Sequence, residues 1–257
     1  MNRFILWTGL FSCLNFCYCQ TDVNALGITF HINSFPQLDI VYDQPLLARS
    51  SAIFTKSLFG IEANAFYATN ISEQVLVRGG IIMGVQPYGL TLYSTNFDAN
   101  DPDKFIFDDI SGYDMSYFGF HVDGELKIPF KKNEYKSRLG IYGGLLAVYH
   151  IPWSISLGYH NSLGNGTVVT LFDVNDILVN EDNNFTFGVR LGVDYVRKIS
   201  RRIEARVGVN LMYSDKVVME TSKPYNVYSL DMVRSGSFSQ RFMSAGFSIG
   251  MNYLLLK

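Results

Sequence analysis

The sequence predicts an all-β protein: an eight-stranded antiparallel up-and-down transmembrane β-barrel with short periplasmic turns and long extracellular loops. Three observations carry this. Eight segments alternate apolar and polar residues with the period of a strand. The connections between them alternate short and long. The bulky side of each segment stands opposite glycines, small polar residues and charges.

The strands are expected at about 25–35, 53–68, 74–93, 113–130, 137–160, 184–199, 202–215 and 241–257. The stretch RIEARVGVNLMY, Arg202 to Tyr213, shows the pattern. Ile203, Ala205, Val207, Val209, Leu211 and Tyr213 alternate with Glu204, Arg206, Gly208, Asn210 and Met212. In the segment before it, Phe185, Phe187, Val189, Leu191, Val193 and Tyr195 oppose Thr186, Gly188, Arg190, Gly192 and Asp194. The last segment sets Met243, Phe247, Ile249 and Met251 against Ser244, Gly246, Ser248, Gly250 and Asn252.

Short connections follow the second, fourth and sixth strands, at 69–72, 131–136 and 199–202. Long ones follow the first, third, fifth and seventh, at about 36–52, 94–112, 161–183 and 216–240. A membrane barrel sorts its connections this way, with the turns periplasmic and the loops outside. A β-sandwich has no reason to do so, although a soluble up-and-down barrel could. The faces decide between the two barrels. A soluble barrel turns apolar residues inward and long charged ones outward, whereas here the polar stripe is rich in Gly and Ser, which suit a crowded interior. The bulky stripe then points outward and needs lipid, because water would meet a continuous apolar patch.

Two further features extend this picture. The segment GTVVTLFDVNDILVN (166–180) alternates like a strand beyond the membrane zone, which predicts a hairpin above the bilayer. Segments 74–93 and 137–160 exceed the about 9–11 residues needed to cross, which predicts a tall extracellular rim. Pro87 and Pro152 are expected there as bulges or unpaired positions.

The chain has 257 residues, 48% hydrophobic and 15% aromatic, enough for a sizeable core or a lipid-facing surface. Its net charge of -2 gives no electrostatic case for nucleic-acid binding. The first twenty residues read as a secretory leader, with Arg3 as the basic end and Phe4 to Phe16 as the apolar stretch. Cys17 and Cys19 suit the positions before a cut at Gln20, so residues 1–19 are expected to be removed and 20–257 to form one barrel domain. All three cysteines fall in that leader, which leaves the expected mature chain without a thiol nucleophile or thiolate ligand. No later run of about 18 uncharged apolar residues follows, so no helical span is expected.

With its leader, eight strands, sorted loops and the terminal strand FMSAGFSIGMNYLLLK, the chain resembles the small eight-stranded outer-membrane barrels of the OmpA/OmpX type. It is most similar to the "outer membrane protein β-barrel" families common in Bacteroidetes. The resemblance implies the outer membrane of a Gram-negative bacterium as location, with outer-membrane lipid and lipopolysaccharide as surroundings. It also implies a non-enzymatic structural or interaction role, with members that serve as subunits of secretion or assembly complexes and meet other envelope proteins through loops or rim. No cofactor is implied. Many such proteins end on an aromatic residue used in insertion; this chain ends LLLK, leaving Tyr253 or Leu255 for that role.

Alternation also assigns an inward set that includes His31, Asn64, His121 and His150. Its charges are Glu62, Asp123, Glu125, Asp194 and Glu204 against Arg78, Lys127, Arg138, Arg190 and Arg206, five of each sign. Unpaired charges in a narrow interior are costly, and paired ones are tolerated. Eight strands leave an interior just wide enough for side chains to fill, so a salt-bridged plug is expected rather than an open channel. A narrow conduit for small solutes is the alternative.

Two other motifs carry possible chemistry. GYHNSLGN (158–165) contains His160 and Ser162, and is similar to the His-x-Ser pair of PagL-type lipid A deacylases. In such a pair Ser is the nucleophile and His its base. That family continues with Asn where this chain has Leu163, and no clear carboxylate partner stands by. An ordinary loop-border pair is the plainer account. Asp98, Asn100, Asp101 and Asp103 crowd oxygen ligands into one loop, but without the Gly and distal Glu of a calcium-binding EF-hand. A solvated turn is the plainer account there, with no dedicated metal site. The turns carry Lys131, Lys132, Lys136, Arg197, Lys198, Arg201 and Arg202, a basic rim that suits anionic headgroups or keeps the turns soluble.

Overall fold

The computed structural model describes residues 24–35, 39–42, 52–56, 58–95, 105–130, 137–152, 154–162, 168–179, 184–221, 225–228 and 233–255. The expected leader, the turn at 131–136 and the acidic loop residues Asp98, Asn100, Asp101 and Asp103 lie outside them.

Thirteen strands form one antiparallel sheet among the described residues. In chain order they are β1 (Asn24–Ser34), β2 (Asp39–Tyr42), β3 (Ala52–Lys56), β4 (Phe59–Asn70), β5 (Val75–Thr95) and β6 (Phe105–Pro129). Then follow β7 (Ser137–His150), β8 (Ser154–Ser162), β9 (Val168–Val179), β10 (Phe185–Lys198), β11 (Ile203–Thr221), β12 (Tyr225–Tyr228) and β13 (Val233–Leu255). Eight of them, in the order β1-β4-β5-β6-β7-β10-β11-β13, close on themselves. The seam is β1 against β13, running from Asn24↔Leu255 to Ser34↔Ala245. Closure leaves the barrel wall no free edge, the condition for a sheet to cross lipid.

The short turns lie at one end. Ile71 N–H donates to the Val75 carbonyl at 2.9 Å, and Ile199 N–H to the Ile203 carbonyl at 2.9 Å. At the other end the wall continues past the barrel. The long connections carry strand of their own among the described residues. Residues 105–110 of β6 pair with 90–95 of β5, so the connection at 94–112 narrows to 96–104. The predicted hairpin is present: β8 pairs with β9, and β9 in turn pairs with β11 and β12. β2 lies on β13, and β3 on β5.

Two expected strands are each divided. The segment 137–160 breaks after His150, where His150 N–H donates to the Asn184 carbonyl and Ile151 N–H to the Ser116 carbonyl. Pro152, with no N–H to give, sits in this break. The segment 53–68 likewise begins as β3 and resumes as β4. Pro87 remains in β5, opposite Asp114, and the register shifts just after it between Tyr88 and Leu90.

Along each wall strand burial alternates residue by residue. Outward positions form an apolar belt, with Leu145 71%, Phe187 71% and Phe247 73% exposed. Inward positions are buried and mostly polar. Glycine appears where an inward side chain crosses the lumen: a Cβ on Gly192 would strike the ring of Tyr142, and one on Gly27 the ring of Phe66. A closed antiparallel barrel with this belt has the architecture of a protein of the Gram-negative outer membrane, short turns facing the periplasm.

Candidate functional site

Period-two alternation sends every second residue of eight strands into one narrow space, where the side chains meet across the axis. Three layers result.

The middle layer is ionic. Arg78 (β5), Arg190 (β10) and Arg206 (β11) converge on Asp123 and Glu125 (β6) and Asp194 (β10), all buried. Arg206 Nη2 donates to Glu125 at 2.6 Å and to Asp194 at 2.5 Å, while its Nε reaches the same Asp194 oxygen at 3.1 Å. Arg78 stands 3.2 Å from Asp123, 3.4 Å from Glu125 and 3.7 Å from Asp194. Arg190 lies 3.6 Å from Asp123, and His121 Nδ1 is 3.0 Å from the same carboxylate. His121 Nε2 meets Asn64 at 2.9 Å. The guanidinium of Arg78 also stacks over the Tyr142 ring at 4.0 Å, a cation–π contact in a desolvated place. The network spans the barrel, since its members sit on strands from opposite sides of the sheet.

Towards the extracellular end the interior becomes richer in apolar side chains. Met115, Tyr117, Met212, Met219, Phe238 and Phe242 are buried there. Tyr117 and His150 each meet the Phe242 ring edge-on, with centroids 5.2 and 5.1 Å apart. Just beneath, Glu62 accepts a hydrogen bond from Tyr117 OH at 2.9 Å and faces His31 at 3.8 Å. Among the described residues no arginine or lysine comes within ion-pair distance of Glu62.

The periplasmic layer is a cavity of about 170 Å³. Arg138 Nη1 and Nη2 grip Glu204 in a two-toothed pair at 2.5 and 3.0 Å, and Asn252 donates to Glu204 at 3.0 Å. Lys127 donates to the Asn70 amide oxygen at 2.9 Å. Its floor holds a small apolar cluster of Ala25, Phe66, Ala68, Leu76 and Leu254.

Ten of the twelve predicted lumen residues are buried: Glu62, Arg78, His121, Asp123, Glu125, His150, Arg190, Asp194, Glu204 and Arg206. Lys127 and Arg138 are half-buried at the mouth. Seven of the twelve share the central network or touch it; Glu62 and His150 stand apart near the apolar layer. Sequence reasoning missed that apolar layer and the stacking role of Tyr142. The signal was available, since Met115 and Tyr117 share the parity of His121 and Asp123. Lys198, read only as part of a basic rim, shares the inward parity of Asp194 and lines the cavity.

His160 and Ser162 stand two positions apart on β8, opposite Thr170 and Val168, in the sheet beyond the barrel. Their side chains lie outside the described residues.

No protein-family model matches the sequence. No curated protein matches it either. Among solved structures the chain is similar to the outer membrane protein OprG from Pseudomonas aeruginosa, at 8% identity and TM-score 0.46 over 92% of this chain and 98% of that one. It is similar to Neisserial surface protein A, at 9% identity and TM-score 0.36 over 90% and 96%. It is also similar to the outer membrane protease OmpT from Escherichia coli, at 11% identity and TM-score 0.39 over 94% and 99%. At these scores the likenesses carry no argument, and the architecture rests on the closed sheet and its belt.

Proposed function

We propose that the chain is a non-enzymatic, non-conducting component of the cell envelope that works by presenting its extracellular sheet to other envelope proteins. The observation that carries this is the continuation of the sheet past the eight-stranded wall. β9 carries β8 and is tied back to β11 and β12, while β2 and β3 add to β13 and β5. Backbone pairing with wall strands holds such a sheet in place better than a free loop, which lowers the ordering cost of binding. The lumen supports the same reading. Its central charges are paired across the axis, and aromatic and methionine side chains pack above them, which supports a filled rather than an open interior. Membership of a larger secretion or assembly complex is the specific form this role takes.

The test is affinity purification from native membranes in mild detergent, with and without replacement of residues 154–179 by a short turn. Expected is a protein partner enriched with the intact chain and lost from the variant. A solitary monomer after chemical cross-linking in native membranes would overturn the proposal. Release of acyl chains from lipid A, abolished by Ser162→Ala, would replace it with the deacylase reading; stable conductance would replace it with the conduit.

A further inference from the structure

The cavity at the short-turn end is lined by all eight wall strands, from Ala25 of β1 to Leu254 of β13. It is therefore the periplasmic mouth of the barrel rather than a gap in packing. Four cations line it, Lys127, Arg138, Lys198 and Arg206, against one carboxylate, Glu204.

These charges are not all spent. Arg138 and Glu204 neutralise each other. Arg206 gives Nε and Nη2 to Asp194 and Glu125 behind the cavity wall, yet its Nη1 has no hydrogen-bond partner among the described residues, although the side chain is only 1% exposed. Lys127 has a single neutral acceptor, Asn70, and no carboxylate within ion-pair distance among the described residues. Lys198 stands exposed at the rim. The balance of five inward acids and five inward bases is thus uneven along the axis. Glu62, which faces His31 at 3.8 Å, lies towards the extracellular end, and Lys127, with no carboxylate within ion-pair distance among the described residues, lies at the periplasmic end.

A half-buried ammonium beside a buried guanidinium in one recess is costly unless something anionic satisfies it. The donors come from strands on several sides, which suits a group with oxygens on several faces. A tetrahedral phosphate fits that description; a carboxylate presents only one edge. The volume of about 170 Å³ takes one phosphate group with a few waters. We propose that the periplasmic mouth is a phosphate-binding site, held by Lys127 Nζ, with the Arg206 guanidinium behind it and Lys198 at its entrance. The phosphate comes either from a small soluble phosphate or from the headgroup of an inner-leaflet phospholipid leaning into the mouth.

The experiment uses the full barrel in a phosphate-free maltoside detergent, with ¹⁵N-lysine labelling and constant ionic strength. Inorganic phosphate is titrated in one arm and phosphatidylglycerol, at low mole fraction, in the other. Expected is a saturable shift of the Lys127 amine signal from one source or both, which identifies the source. Lys127→Met should weaken binding at least about tenfold, as the loss of one charged hydrogen bond implies. Acetate at the same concentrations should give no saturable shift. The proposal is overturned if neither source gives saturable binding, if acetate binds as well as phosphate, or if Lys127→Met binds like the parent. Should that variant fail to fold, Lys198→Gln at the exposed rim decides: unchanged phosphate affinity in it overturns the assignment.

Discussion

Replacing Arg206 or Arg78 by methionine removes one positive charge from the same network, yet the two substitutions should differ in cost. The distances say why. Without Arg78, Asp123 keeps His121 at 3.0 Å and Arg190 at 3.6 Å, while Glu125 and Asp194 keep Arg206 at 2.6 and 2.5 Å. Every acid retains a close partner. Without Arg206, Glu125 and Asp194 fall back on Arg78 at 3.4 and 3.7 Å. Removing one member of a buried ion pair costs about 3–5 kcal/mol when the other is left uncompensated. Arg206→Met should therefore lie within that range, at about 4 kcal/mol, a thousandfold or so in the folding equilibrium. Arg78→Met should cost only about 2 kcal/mol, the loss of longer charge-assisted contacts and of the stacking on Tyr142. Adding Glu125→Gln and Asp194→Asn to Arg206→Met should recover part of the loss, because the stranded charges are then gone. The assay is urea unfolding of the barrel in lipid vesicles, read as the fraction of compact, fast-migrating protein on unheated gels. If Arg78→Met proves as costly as Arg206→Met, the ranking of partners by distance is wrong.

Leu145 stands 71% exposed on the belt, so Leu145→Arg should cost about 2–4 kcal/mol in vesicles if that face meets lipid. A cost below about 0.5 kcal/mol, normal for a water-facing site, would refute the lipid assignment. Gly192→Val drives a side chain into the Tyr142 ring and should destabilise by about 1–3 kcal/mol through overpacking, with an unchanged unfolding midpoint counting against the tight lumen. Planar-bilayer recordings should show no stable open channel for the parent protein, since eight strands leave room only for side chains.

The wall was legible in the sequence because its two solvents differ so sharply. Phe185 to Tyr195 and Thr186 to Asp194 could belong to no other arrangement once the outward stripe was assigned to lipid. The break after His150 was not legible. Alternation runs on through Tyr149 and Ile151, and the ladder runs on with it, His150 N–H reaching the Asn184 carbonyl and Ile151 N–H the Ser116 carbonyl, before Pro152 offers none. The interior's membership could be read from parity, but its pairings could not. Glu125 meets Arg206 across 81 residues, and Arg138 meets Glu204 across 66, through the stagger of strands around the barrel. Parity says which way a side chain points and nothing about whom it meets. The apolar outer layer escaped for a related reason. Met115 and Tyr117 share inward parity with charged residues and Phe242 with polar ones, and only their height along the axis separates them.

The buried arginines and carboxylates have one more effect, which acts before any barrel exists. A chain bound for an outer membrane must first cross an inner one, where a run of about 18 apolar residues would be retained as a helix. Here Arg190 and Asp194, then Glu204 and Arg206, interrupt the apolar stripes of β10 and β11, so that no such run forms there. The groups that end up farthest from water in the finished barrel are thus the ones that keep the travelling chain from stopping too early. Substituting them all with leucine, however well the lumen repacked, would change the membrane in which the protein arrives.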